Sequence, residues 1–190
     1  MAKQKKEDGR KFRILWFIIG IAAFVLSLSA DGYVNELFNA EKPQLLNVFF
    51  SIITNFGFDI TILFFIPIIL LYNKKQKKQV YSLLLALILS IAASFILKAI
   101  FAKIRPDAIL SYPLQILDYS FPSMHSAVVF ASLPILARNI KYARYFTIFA
   151  VLAAFSRLYL GFHYLSDIVF GAFAGYLIGG LSIWAVEKWQ

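Results

Sequence analysis

Several stretches of this chain stay apolar for close to twenty residues, and that feature limits its folds more than any other. At 1.5 Å per residue, about 20 helical residues cross the ~30 Å hydrocarbon layer of a bilayer. A soluble domain of 190 residues has no interior large enough to hide so many such runs. The composition agrees, with 61% of residues hydrophobic, 20 Phe and only 15% charged, for a mean hydropathy of +0.73. The expectation is an all-α, polytopic membrane protein folded as a single membrane-integral domain over residues 1–190.

Six spans in one bundle can be drawn, at about 14–30, 51–72, 79–101, 124–140, 143–161 and 163–186. The first follows a charged start, MAKQKKEDGRKFR. Its apolar part, ILWFIIGIAAFVLSLSA, is longer than usual for a signal peptide and no clear cleavage site follows, so it reads as a retained span. Residues 31–50 are mixed enough for a loop plus an interfacial helix.

Lys and Arg set the orientation. With six spans, fourteen of the nineteen fall on one side: six before the first span, four between spans 2 and 3, Arg138, Lys141 and Arg144 between spans 4 and 5, and Lys188. That side is the cytoplasm, which places both termini inside a cytoplasmic (inner) membrane. The net charge of +9 therefore tracks helix ends rather than one basic face, and no nucleic-acid partner is expected. No cysteine is present, which excludes disulfides and thiolate metal sites.

Topology leaves a remainder unexplained: Lys98, Lys103, Arg105, Asp107, Asp118, His125, Arg157, His163 and Asp167, with Asp59 and the first outer loop. Nearly all lie at the outward end of spans 3 to 6. A cation within a span costs roughly 2.5–3.5 kcal/mol even on lenient insertion scales, so such residues usually have work to do. Each alone reads most simply as a snorkelling side chain or a helix–helix contact. Complementary groups from four span ends at one level of the membrane read as a site.

Lys98 and Arg105, seven residues apart, sit about 20° apart on a continuous helix and ~10 Å apart along it. Two cations on one stripe suit a phosphate. Lys103 points away from that stripe and reads as an interfacial anchor. In FPSMHSAVVFASLP, Pro122 and Ser123 stand where a helix would be capped. The free N–H groups of Ser123, Met124 and His125 then point outward as an anion site, with the Ser123 hydroxyl beside them. His125 is placed to hand a proton to a leaving oxygen. His163 and Asp167 are i and i+4, neighbours on one helix, where the carboxylate fixes the tautomer and leaves the other ring nitrogen free to attack. Arg157 shares their ligand only if the helix breaks between it and His163, at Gly161, in a turn at about 159–162.

These residues spell three motifs. Lys98 to Arg105-Pro106 matches K-x6-R-P, Pro122-Ser123-Met124-His125 resembles P-S-G-H, and Ser156-Arg157 through His163 to Asp167 matches S-R-x5-H-x3-D. In order and spacing the chain resembles the type 2 phosphatidic acid phosphatase family of membrane lipid phosphatases, with their haloperoxidase-like motifs. The resemblance implies His163 as a nucleophile forming a phosphohistidine, Asp167 as its orienter, and His125 as general acid and then base. It implies Lys98, Arg105, Ser123, Met124 and Arg157 as the phosphate-binding set, and neither a metal nor another cofactor. Met124 stands where the family usually has Gly, which bears on substrate preference.

The implied partners are a membrane lipid phosphate substrate and the phospholipid bilayer, with the active site facing the periplasm or exterior. Substrates plausible at that face include undecaprenyl diphosphate, lipid A 1-phosphate, phosphatidylglycerol phosphate and phosphatidic acid. Phosphotransfer to a lipid hydroxyl, non-catalytic transport of an anionic lipid, and a structural membrane protein whose charges merely fix helix packing are the alternatives. Oligomeric state stays open, because Gly171, Gly175 and Gly179 form small-xxx-small steps that serve packing within or between chains equally well.

Overall fold

The computed structural model describes residues 2–38, 40–106, 115–141 and 143–189, and of residues 2–13 and Trp16 the backbone alone. Asp107 lies outside the described residues. The helices are α1 (Ala2–Phe38), α2 (Gln44–Ile53), α3 (Phe56–Ile60), α4 (Ile66–Asn73), α5 (Lys77–Phe101), α6 (Met124–Asn139), α7 (Ala143–Tyr159) and α8 (Leu165–Trp189). A π turn, Thr61–Phe65, joins α3 to α4, and a 3-10 turn, Gln115–Asp118, precedes α6. Among the described residues there is no strand, only an isolated bridge between Ile104 and Tyr119.

Among the described residues, four helical stretches are long and apolar enough to cross a membrane: Phe17–Phe38, Phe56–Asn73, Lys77–Phe101 and Leu165–Trp189. α6 and α7, with 16 and 17 residues, reach only about 24–26 Å at 1.5 Å per residue. The first span differs from expectation, since α1 continues past residue 30 to Phe38 with no loop at Asp31. The polar residue there makes a tertiary contact instead of ending the helix, with Asp31 Oδ1 accepting from Ser166 N–H at 2.8 Å.

The second expected span is likewise interrupted. α2 stops at Ile53, and the Asn55 side chain caps α3 by accepting from Phe58 N–H at 3.1 Å. The π turn then precedes Pro67, whose missing N–H and ring disturb the ordinary i to i−4 ladder. The helix widens there, and Ile66 N–H bonds Thr61 O, five residues back.

α6 is the hub. Most of its side chains from Ser126 to Leu136 are buried, its most extensive partner is α8, and α5 and α7 flank it. Small residues permit that approach. A Cβ at Gly175 would collide with the Ala127 carbonyl, one at Gly179 with the Ala131 carbonyl, and one at Gly171 would sit 2.6 Å from Ser123 O. The small-xxx-small ladder therefore packs helices within this chain.

The polarity is inverted relative to a soluble protein. Leu26, Leu45, Ile88 and Ile100 face outward, while Asp59, Lys98, Arg105, Arg157, His163 and Asp167 are all buried. An apolar exterior around a charged interior suits a lipid solvent, where intramembrane charges face the bundle interior.

Candidate active site

α5 delivers Lys98 in its last turn and ends at Phe101, where Ala102 takes a left-handed conformation with φ 43°. Arg105 therefore does not continue the helical stripe of Lys98, as the spacing alone predicts. It reaches the same place from the chain beyond the helix. Its Nη1 donates to Phe162 O at 2.7 Å and its Nη2 to Leu117 O at 2.8 Å. Lys98 Nζ donates to Tyr119 O and, at 3.4 Å, to Ser120 O. These carbonyls aim both cations while neutralising neither.

α6 begins as its sequence predicts. Ser123 is the N-cap, its Oγ accepting from Ser126 N–H at 3.4 Å and from the Ser126 hydroxyl at 3.1 Å. Ser123 N–H donates to Asp167 O at 3.1 Å, tying this helix start to α8, so this amide is not free for an anion as the sequence reading expects. Met124 and His125 follow in the first turn. His125 Nε2 lies 3.1 Å from Thr54 O. A carbonyl only accepts, so Nε2 carries the hydrogen in this arrangement, and Nδ1 is the nitrogen left to accept a proton.

α7 and α8 are separated by the predicted break. Gly161 has φ +77°, a left-handed conformation that glycine adopts without steric cost. His163 lies in this turn rather than on α8, which begins at Leu165. The Asp167 carboxylate faces it nonetheless. Asp167 Oδ2 accepts from Tyr164 N–H at 3.0 Å and stands 3.4 Å from His163 Nδ1, long for a hydrogen bond but of a kind that tightens when substrate binds.

The other ring nitrogen, His163 Nε2, lies 3.2 Å from Arg105 Nη1. A guanidinium has no acceptor, so Nε2 must present its lone pair and Nδ1 its hydrogen. The geometry thus selects a single tautomer, with the Nε2 lone pair toward Arg105. Burial, then the charges of Arg157, Arg105 and Lys98, hold the His163 pKa well below the ordinary imidazole range, which keeps the ring neutral.

These side chains meet around a cavity of about 190 Å³, lined by Lys98, Arg105, Met124, His125, Arg157 and His163 with Phe56 and Leu117. That is smaller than the ~300–1,000 Å³ of sites for drug-sized ligands and suits the head of a larger molecule. Ser123 and Asp167 stand behind the lining, with the cap and the dyad respectively. A wider groove of about 760 Å³ between α2 and α3, lined by Gln44, Asn47, Ser51 and neighbours, holds no titratable side chain.

Four residues have roles that spacing did not reveal. Thr54 accepts from Arg157 Nη1 through its hydroxyl at 2.7 Å and holds His125 through its carbonyl. Asp59 is fully buried, and Arg157 acts on it electrostatically. Lys103, read as an interfacial anchor, instead turns inward to Asp167 Oδ1 at 2.9 Å and to Asp31 Oδ2 at 3.1 Å. It escapes its helical position because α5 has already ended. An acid at the close of an apolar run was the only sequence signal for Asp31, and Thr54 carried none.

Comparison with known proteins agrees with this arrangement. A curated undecaprenyl-diphosphatase of Sulfolobus acidocaldarius is 27% identical over 181 residues, covering 90% of this chain and 86% of its own. The crystal structure of Aquifex aeolicus LpxE superposes with a TM-score of 0.66 at 28% identity, covering 80% of this chain and 93% of that one. A transmembrane PAP2 type phosphatidylglycerolphosphate phosphatase from Bacillus subtilis shares the fold at 20% identity, with a TM-score of 0.66 over 93% of this chain and 96% of its own. The PAP2 superfamily model itself matches residues 79–190. That is more than half the chain and takes in all three motifs, so this multi-pass membrane protein belongs to the PAP2 superfamily.

Proposed function

We propose that the protein is a membrane phosphatase that hydrolyses a lipid phosphate or diphosphate at the outer face of the cytoplasmic membrane, through a phosphohistidine at His163. The observation that carries this reading is the cavity itself: Lys98, Arg105 and Arg157 converge with two imidazoles, and among the described residues no carboxylate lines it. Three buried cations repel one another, and a bound phosphoryl group is the chemistry that relieves them.

In this reading a phosphoryl oxygen takes over the Arg105 donor that caps His163 Nε2, freeing the lone pair. Nε2 attacks phosphorus, the ester or anhydride P–O bond breaks, and the leaving oxygen takes the proton that His125 Nδ1 has accepted from the bound phosphate monoanion, while Nε2–H of His125 stays on Thr54 O. His125 then removes a proton from water, which attacks the phosphohistidine and releases phosphate. Lys98, Arg105, Arg157 and the N-terminal amides of α6, with the Ser123 cap, stabilise the charge that develops on the equatorial oxygens. That charge set replaces a metal, and turnover is accordingly independent of chelators.

Six spans with both termini in the cytoplasm place this cavity outward. Because α6 and α7 are shorter than the hydrocarbon thickness, the cavity then lies below the bilayer surface. A recessed site favours a headgroup attached to a lipid over a soluble phosphate. The names of two relatives point to polyprenyl diphosphates and glycerolipid phosphates, and lipid A 1-phosphate, expected from the sequence, completes the panel to assay.

The test is phosphate release by purified protein from that panel, with and without chelator. His163→Ala lowers turnover on the order of 10⁴-fold or more, and trapped enzyme carries an acid-labile, base-stable phosphate. His125→Ala slows turnover but lets the phosphoenzyme accumulate with a good leaving group. If folded His163→Ala protein turns over like the parent, the mechanism is wrong.

A further inference from the structure

The two oxygens of Asp167 have different tasks. Oδ2 faces His163 Nδ1, whereas Oδ1 accepts from Lys103 Nζ at 2.9 Å. Lys103 Nζ also donates to Ser166 Oγ at 3.0 Å and to Asp31 Oδ2 at 3.1 Å. An ammonium has three N–H donors, and here each meets an oxygen. Lys103 is thereby unlike Lys98, whose charge borders the cavity, and has no donor left for a phosphate. Asp31 closes the arrangement from α1, accepting from Ser166 N–H at 2.8 Å and from the Ser166 hydroxyl at 2.6 Å. Asp31 lies outside the family-matching residues 79–190.

We infer that Asp31 and Lys103 are positioning residues for the reaction, clamping Asp167 so that its second oxygen faces His163 Nδ1 and the ring keeps Nε2 toward the cavity. The inference rests on the reading of His163 as nucleophile. A helix-to-helix ion pair would be complete with Lys103 and Asp31 alone. The third bond runs instead to a carboxylate with no solvent exposure, one atom from the imidazole's partner. Neither Asp31 nor Lys103 lines the cavity, so their loss acts on kcat and leaves KM nearly unchanged.

Charge gives a signature that simple loss of packing does not. His163 is faced by Lys98 and Arg105 from the α5 end, His125 from α6, Arg157 from α7 and Asp167 from α8, with Lys103 and Asp31 behind Asp167. Removing the Lys103 cation makes the imidazole easier to protonate, so the acid limb of kcat/KM moves to higher pH. Removing the Asp31 anion moves it to lower pH.

The experiment measures phosphate release from short-chain phosphatidic acid in detergent micelles by the full chain. Lys103→Met is expected to lower kcat about 10- to 100-fold and shift the acid limb upward, with Lys103→Arg restoring most of the rate. Asp31→Asn shifts the limb downward with a smaller loss. Folded Lys103→Met with parental kcat and an unmoved limb overturns the inference. If Lys103→Met does not fold, Asp31→Asn decides, and an unmoved limb there overturns it equally. Retained turnover in His163→Ala is a separate result, which removes the nucleophile and not merely its clamp.

Discussion

The cavity has two walls of different origin. One is built from the ends of α5, α6 and α7 and the turn before α8, and supplies every cation and both imidazoles. The other comes from the α2–α3 segment and supplies Phe56 to the lining, with Thr54 and Asp59 behind it, while Asp31 of α1 reaches behind Asp167. In the proposed mechanism the first wall carries the reactive groups. The second aims them, and it needs only one polar atom per contact to do so. Chemistry demands particular residue types at fixed spacing, whereas aim can be met by any hydroxyl, carbonyl or carboxylate that arrives at the right point.

Substitutions on the two walls should therefore differ in size and in kind. Arg157→Gln, on the reactive wall, removes a donor to the phosphoryl oxygens and is expected to lower kcat/KM about 10²- to 10³-fold, read as phosphate release at several lipid concentrations. A loss under fivefold would mean that the aiming wall carries the charge stabilisation as well. Gly175→Ala tests the scaffold between the walls. Its new methyl meets the Ala127 carbonyl, so a cost of about 1–3 kcal/mol in thermal unfolding is expected, with kcat of the folded fraction largely retained. Thr54→Val, on the aiming wall, keeps the shape and the backbone carbonyl that holds His125 but deletes the hydroxyl that holds Arg157. One hydrogen bond to a charged group is worth about 1.5–3 kcal/mol, and part of it is recovered when substrate binds. A loss of roughly tenfold or less in kcat/KM is the expected outcome, and a loss as large as that of Arg157→Gln would erase the distinction between the walls.

The reactive wall was legible because its residues violate the solvent they sit in. A lysine, two arginines, two histidines and an aspartate near the ends of apolar runs cost too much to be incidental, although helical spacing does not place Arg105, which lies beyond α5, or His163, which lies before α8. The break at Gly161 and the cap at Ser123 followed from local rules and stand in the structure. Arithmetic on a continuous helix misplaced Lys103, because α5 ends at Phe101 and the chain beyond it obeys no helical angle. Asp31 looked like the start of a loop because its partners, Ser166 and Lys103, are distant in sequence. Thr54 was silent because threonine in an apolar stretch is unremarkable, and half of its role belongs to a backbone carbonyl. The shared lesson is that long-range satisfaction of a polar group leaves no trace in local pattern.

The glycine ladder has a consequence for how this catalyst can change. Gly171 packs against the carbonyl of Ser123, the N-cap of α6, so the spacing between two membrane helices also fixes where the first turn of α6 stands beside the cavity. A single added methyl there would pry the two apart beside the cavity while every polar side chain kept its identity. Selectivity among lipids can thus drift through buried, chemically inert positions, out of reach of any comparison confined to the motifs.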